Sequence, residues 1–358
     1  MDDFLYFFSF KDANIRLVVF GTMLLGMVCA LVGSFNFWRK QALVGDVLAH
    51  AVLPGVCLAS MLFSTKSWFW LLSGAMLSSS LAFWCIEAIV RYSKLKKDAA
   101  LALVLSVFFG IGIFLLSYIQ GLDLPNQSGL DSILLGKTAA LQRLDIWLFA
   151  SLAGVLLLIF ALFFGPLVLY TFDAAFAQSI GLPVSFMRFL LMILTVGAIV
   201  SGIQAIGLIL VAALLISPAV VAKFWTCKLY VFLGLAALFG SLSALIGAYI
   251  SYTFVNAPTG PWIVIVLFVF CIVSFVFAPQ TGWLHHRFQE IRQRKIIYQE
   301  NLLKAFYLLG EGRKNFFIPR SYTDVYRLRP MEENVMQGVL ATLQRKKYLS
   351  KYKKNSGC

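Results

Sequence analysis

Apolar residues fill the first three quarters of the chain in long blocks separated by short polar joints. A helix needs about 20 mostly apolar residues to cross the hydrocarbon core of a bilayer. Nine stretches read as such helices: 15–37, 43–63, 68–90, 99–119, 146–170, 187–202, 204–222, 229–254 and 261–278. Only Ser201-Gly202-Ile203-Gln204 separates the sixth from the seventh, which makes them a tight helical hairpin or one broken segment. Gly and Pro punctuate other joints, as in Asn256-Ala257-Pro258-Thr259-Gly260-Pro261. The pattern predicts an all-α polytopic membrane protein with about nine transmembrane helices.

Beyond residue 282 the long blocks give way to amphipathic periodicity. Ile296, Ile297, Leu302, Leu303, Phe306 and Leu309 alternate with polar positions across Ile291–Leu309, and Gly310-Glu311-Gly312 ends the run. A short helix is expected from Ser321 or Thr323 to Leu328, stopped by Pro330. A third, Met331–Lys347, places Val335, Val339, Leu340 and Leu343 on one face. The chain therefore divides into a membrane body, 1–282, and a helical extension, 283–358.

Composition supports this division. Of 358 residues 60% are hydrophobic and 13% charged, whereas soluble domains run near 45–50% and 25%. Net charge is +4 over residues 1–282 and +10 over 283–358. With the basic extension in the cytoplasm, nine spans put Arg39, Lys40, Arg91, Lys94, Lys96, Lys97, Lys223 and Lys228 inside. The N-terminus then lies outside. The opening Met1-Asp2-Asp3 lacks the basic start of a cleaved secretory signal, so the first apolar run is expected to be a resident helix. None of the six cysteines has metal-like spacing, and five lie in apolar stretches, as small hydrophobes do.

Ionisable groups inside a span are costly and mark function by default. His50 is the one histidine of the apolar body, and Asp46 stands four residues before it. That spacing sets both side chains on one helix face. A carboxylate oxygen with an imidazole nitrogen suits Mn²⁺, Zn²⁺ or Fe²⁺. Two ligands do not close a site; a second copy of the chain, or a homologous partner across a two-fold axis, would make it four. The alternative is structural, with Asp46 capping the helix or hydrogen-bonding His50. Glu87, four residues before Arg91, is expected to form an interfacial ion pair with it, and Gly26, Gly33, Gly110, Gly112, Gly207 and Gly247 suit close helix packing.

Three stretches resemble one family, the membrane permeases of ABC importers for manganese, zinc and iron. Gln41-Ala42-Leu43-Val44-Gly45-Asp46, continuing through His50, Ala51, Leu53, Pro54 and Gly55, is similar to the family's G-D-x-x-[AS]-H-x-x-x-P-G signature. The run from Ala205 through Gly207 to Ser217-Pro218-Ala219 resembles its G-x-x-L-V-x-A-L-L-x-x-P-A segment. Tyr170–Pro183, with Asp173, Ala177, Gly181 and Pro183, looks like the cytoplasmic coupling helix of importers, whose A-x-x-x-G core docks on the ATPase.

The resemblance implies that Asp46 and His50 contribute to a metal path. It assigns Gly45, Pro54, Gly207 and Pro218 to packing or gating. It also implies three partners: a cytoplasmic ABC ATPase, an extracytoplasmic metal-binding protein, and a second permease chain, identical or homologous. Mn²⁺, Zn²⁺ or Fe²⁺ would pass through as cargo, with no cofactor permanently bound. No G-x-x-x-x-G-K-[ST] phosphate loop occurs in the chain, so ATP hydrolysis belongs to a partner and this subunit is not an enzyme. The expected location is the bacterial cytoplasmic membrane.

The extension loosely resembles the DNA-binding region of diphtheria-toxin-repressor-type metal regulators, through Glu300–Glu311 and Val339–Leu349. Arg345, Lys346 and Lys347 would then contact DNA; equally, a solvated basic extension attracts anionic lipid headgroups. Permeation of chelated iron as siderophore or haem, and a membrane-tethered metal-responsive regulator, are the competing functions.

Overall fold

The computed structural model describes residues 7, 12–63, 68–121, 143–254, 258–279, 282–312, 322–328, 330–331, 333–346 and 348–349. All regular structure among them is helical, with no strand. Residues 1–276 and 277–358 form two compact units.

The first unit contains α1 (Ala13–Trp38), α2 (Ala42–Phe63), α3 (Trp68–Tyr92), α4 (Lys97–Gly121), α5 (Arg143–Leu162), α6 (Phe164–Phe172), α7 (Ala174–Ser179), α8 (Val184–Ile206), α9 (Leu208–Trp225), α10 (Leu229–Thr253) and α11 (Thr259–Phe277). Among the described residues seven helices, α1 to α4, α8, α10 and α11, are long and apolar enough to cross a membrane. The pattern of nine differs at two places. The stretch 146–170 is a pair, α5 and α6, bent by 69°, which makes an eighth span if the pair crosses as one. Pro166 sits in the first turn of α6, where its missing N–H breaks nothing; one turn earlier in a continuous helix its ring would strike a carbonyl.

The other difference is the stretch 204–222, which becomes the shorter apolar helix α9. Gly207 parts it from α8 with φ 99° and ψ 157°, a conformation open essentially to glycine alone. A Cβ on Gly202 would stand 2.7 Å from Val211 Cγ2, whereas nine residues of straight helix span about 13 Å. The chain therefore folds back at Gly207 as a tight hairpin.

Helices α1 and α2 form the centre. The first packs on α10, α9, α8 and α5, the second on α3, α4, α9 and α8. Small residues permit the closest approaches: a Cβ on Gly55 would run into the Gly74 carbonyl oxygen, and one on Gly26 would lie 2.6 Å from that of Gly240. Gly110 meets nothing within 4 Å, so the packing role expected of it is not realised. Spans α2 and α8 are 72% and 78% buried, against 22% for α3 and 28% for α4 and α11. The helix carrying Asp46 and His50 is thus an inner one. At its starting end, Trp38 packs with Phe172 and Phe232, and Lys223 Nζ stands 4.1 Å over the Trp38 ring, the kind of aromatic and cationic belt found where spans meet headgroups.

The second unit has α12 (Trp283–Gly312), α13 (Tyr322–Leu328) and α14 (Glu333–Arg345) around Leu302, Ala305, Val325, Met336, Val339 and Leu343. Its first helix starts at Trp283, well before the periodicity at Ile291.

Candidate functional site

Asp46 and His50 emerge from the second and third turns of α2, about 6 Å and 12 Å along a helix of about 33 Å. Asp46 lies in its first third and His50 just beyond it, both short of its middle. His50 Nε2 stands 3.5 Å from Asp46 Oδ1, long for a hydrogen bond, with side chains 18% and 37% exposed. Nδ1 of His50 is buried without a hydrogen-bond partner, and the ring packs edge-on against Phe109 of α4 at 4.8 Å. The expected pair is therefore brought together, loosely enough for an ion to enter between oxygen and nitrogen. Among the described residues no third His, Cys, Asp or Glu joins them.

The residues around the pair shape α2. A Cβ on Gly45 would stand 3.1 Å from Leu215 Cδ1, so α9 presses on the helix one residue before Asp46. Pro54 lies inside α2 and is buried. It has no N–H to return to the carbonyl four residues earlier, that of His50. Pro218 sits inside α9 in the same way, and Gly207 is the hairpin joint already described.

The Tyr170–Pro183 segment, expected to dock on an ATPase, is a compact turn. Asp173 Oδ1 accepts from the Phe176 N–H at 2.9 Å, capping the six-residue α7. The segment's single charge is thus held as a helix cap. The turn closes where Leu182 N–H donates to the Ala177 carbonyl and Gly181 takes φ 85°. Ala177 is fully buried, while Phe172, Phe176 and Ile180 are each about half exposed. These three large apolar side chains project outward alongside the exposed Asp173, Gln178 and Ser179.

Glu87 does not pair with Arg91. Its Oε2 takes Arg188 Nη1 at 2.7 Å, from α8, 101 residues away, and Arg91 lies over the Tyr92 ring instead. Beside this pair, Arg39 Nη1 donates to the Tyr170 carbonyl at 3.2 Å and its guanidinium covers the Tyr170 ring at 3.9 Å. Burial, with the like charge of Arg188 adding to it, lowers the Arg39 pKa, yet an arginine stays cationic in a protein. Arg188 was legible as a lone cation at the start of a span.

In the second unit Arg345 is exposed in the last turn of α14, and Lys346 Nζ donates to Gln299 Oε1 at 3.1 Å. Lys347 lies outside the described residues.

Comparison with known proteins decides the family. Residues 11–278 match the ABC 3 transport family. The chain belongs to that family. The manganese transport system membrane protein MntC of Bacillus subtilis is 43% identical over 297 residues, 83% of this chain and 68% of the relative. The zinc transport system membrane protein TroC of Treponema pallidum is 40% identical, over 81% of this chain and 97% of the relative. Among solved structures, PsaBC from Streptococcus pneumoniae in complex with Fab superposes with a TM-score of 0.70 at 30% identity, covering 79% of this chain and 99% of that one. The family match ends just before the basic extension, whereas the match to MntC of Bacillus subtilis covers 83% of the chain and so runs into it; neither shows a resemblance of that extension to DNA-binding regulators.

Proposed function

We infer that this ABC 3 family chain is the membrane permease subunit of an ATP-driven importer for a divalent transition-metal ion, Mn²⁺, Zn²⁺ or Fe²⁺. The observation that carries the reading is the Asp46–His50 pair, an open oxygen–nitrogen chelate on an interior span. Relatives named for manganese and for zinc transport support it.

The residues divide the work by their chemistry. Asp46 supplies a hard anionic oxygen and His50 a borderline nitrogen, a set that takes Mn²⁺, Zn²⁺ and Fe²⁺ alike. The half-open face carrying Leu43, Asp46 and His50 suits a second permease chain, whose equivalent pair would complete four ligands. Two ligands from each subunit hold an ion firmly while the subunits meet and release it when they part. The exposed Phe172, Phe176 and Ile180 offer a separate ATPase an apolar handle, and the rigid Asp173-capped turn transmits its motion to α6 and α8. An extracytoplasmic binding protein delivers the ion.

In this reading α9 completes nine crossings, with the N-terminus outside and the basic extension inside the bacterial cytoplasmic membrane. The +10 of the extension suits anionic headgroups.

The test is uptake of radioactive Mn²⁺, Zn²⁺ and Fe²⁺ into vesicles holding this chain with its ATPase and binding protein, beside iron offered as siderophore or haem. ATP-dependent accumulation of at least one bare ion supports the reading. Accumulation of chelated iron alone would replace it.

A further inference from the structure

A cavity of about 400 Å³ opens among the ends of α1, α2, α3, α4, α6 and α8, within the span of ligand pockets, about 300–1,000 Å³. It is not the Asp46–His50 site. Val44 and Leu48 line it from α2, and at 100° per residue they project from the face opposite Asp46 and His50.

Its charge is lopsided. Arg39, Arg91, Lys97 and Arg188 line it against a single carboxylate, Glu87, which Arg188 already occupies. Among the described residues Arg39, Arg91 and Lys97 have no carboxylate within 4.0 Å, and Arg39 Nε is buried with no acceptor. A buried, unanswered guanidinium donor is expensive, and three cations with no carboxylate in direct contact crowd one concavity that an entering anion would relieve.

We propose that this cavity binds a phosphate-bearing anion, held by Arg39, Lys97 and Arg91 with Arg188 at its rim. Phosphate fits because its multiple charge answers several cations at once, and its oxygens accept from planar guanidinium donors in pairs. Arg39 grips Tyr170, the residue that leads α6 into the coupling turn. An anion bridging Arg39 and Lys97 therefore ties the α1–α2 junction and α4 to the segment that receives the ATPase's motion. The phosphate comes from an anionic phospholipid headgroup or from a free phosphate compound.

Two arms separate these sources. In the first, the full chain is extracted from mixed phosphatidylcholine and phosphatidylglycerol membranes and its retained lipid is counted by native mass spectrometry. In the second, inorganic phosphate and pyrophosphate are titrated calorimetrically onto the chain in phosphatidylcholine nanodiscs. Lys97→Gln and the double variant Arg91→Gln/Lys97→Gln remove cavity charge without touching the Arg39–Tyr170 contact. Lys94→Gln/Lys96→Gln removes equal charge from the same loop outside the cavity. The expected result is retention or binding in one arm, weakened at least tenfold by the cavity double variant and unchanged by the loop variant. Absence of both in the unaltered chain overturns the proposal, as does equal weakening by the loop variant, which would mean diffuse surface attraction.

Discussion

His50 and Asp46 face each other across 3.5 Å on one helix, and the remaining ring nitrogen of the histidine is buried with no hydrogen-bond partner. Metal-binding histidines ordinarily donate that second nitrogen to an outer group that fixes the ring. Here packing takes over that orientation, because Phe109 meets the ring edge-on at 4.8 Å. Phe109→Ala should therefore weaken metal affinity by about tenfold, the lower end for loss of an outer-shell support, while Phe109→Leu retains most of it. Metal titration of the full transporter at fixed pH measures both.

The cap at Asp173 can be separated from a charge contact. Asp173→Ala removes the acceptor for Phe176 N–H and should cost about 1 kcal/mol of local helix stability, slowing transport per ATP hydrolysed. Asp173→Asn keeps the cap without the charge and should restore coupling. If Asn fails as badly as Ala, the carboxylate is itself a docking charge.

Phe176 and Ile180 are 52% and 54% exposed, so changing them leaves the fold of the permease intact. Phe176→Asp and Ile180→Asp should abolish co-purification of the ATPase while the melting temperature of the isolated chain stays within error of the original.

Helix contacts through glycine give a pair of stability tests. A methyl on Gly55 would run into the Gly74 carbonyl oxygen, so Gly55→Ala should destabilise by about 1–3 kcal/mol through overpacking. Gly110→Ala meets nothing within 4 Å and should be neutral or slightly stabilising, since alanine favours helix by about 1 kcal/mol. Thermal unfolding followed by size-exclusion fluorescence distinguishes the two.

What the sequence made legible was whatever is written locally. Asp46 and His50 are one helical turn apart, so their meeting follows from spacing alone, and the long apolar blocks announce the spans. Interactions that tie distant segments left little trace. Glu87 has Arg91 at the right helical interval, yet it turns to Arg188, because α3 and α8 pack side by side and deliver a cation from 101 residues away. The grip of Arg39 on Tyr170 crosses 131 residues. The breaks within the fifth and between the sixth and seventh apolar stretches left little trace for a similar reason: hydropathy sees apolar length, whereas the bend before Pro166 and the reversal at Gly207 are decided by single backbone positions.

The Asp46–His50 pair is the proposed passage for the ion. The measurement is ATP-driven uptake of radioactive Mn²⁺ and Zn²⁺ into vesicles carrying the assembled transporter with Asp46→Ala or His50→Ala, with ATPase activity recorded in the same samples. Uptake is expected to fall to background in both variants while ATP hydrolysis and assembly persist. Full uptake by either variant would contradict it and leave the pair as helix packing.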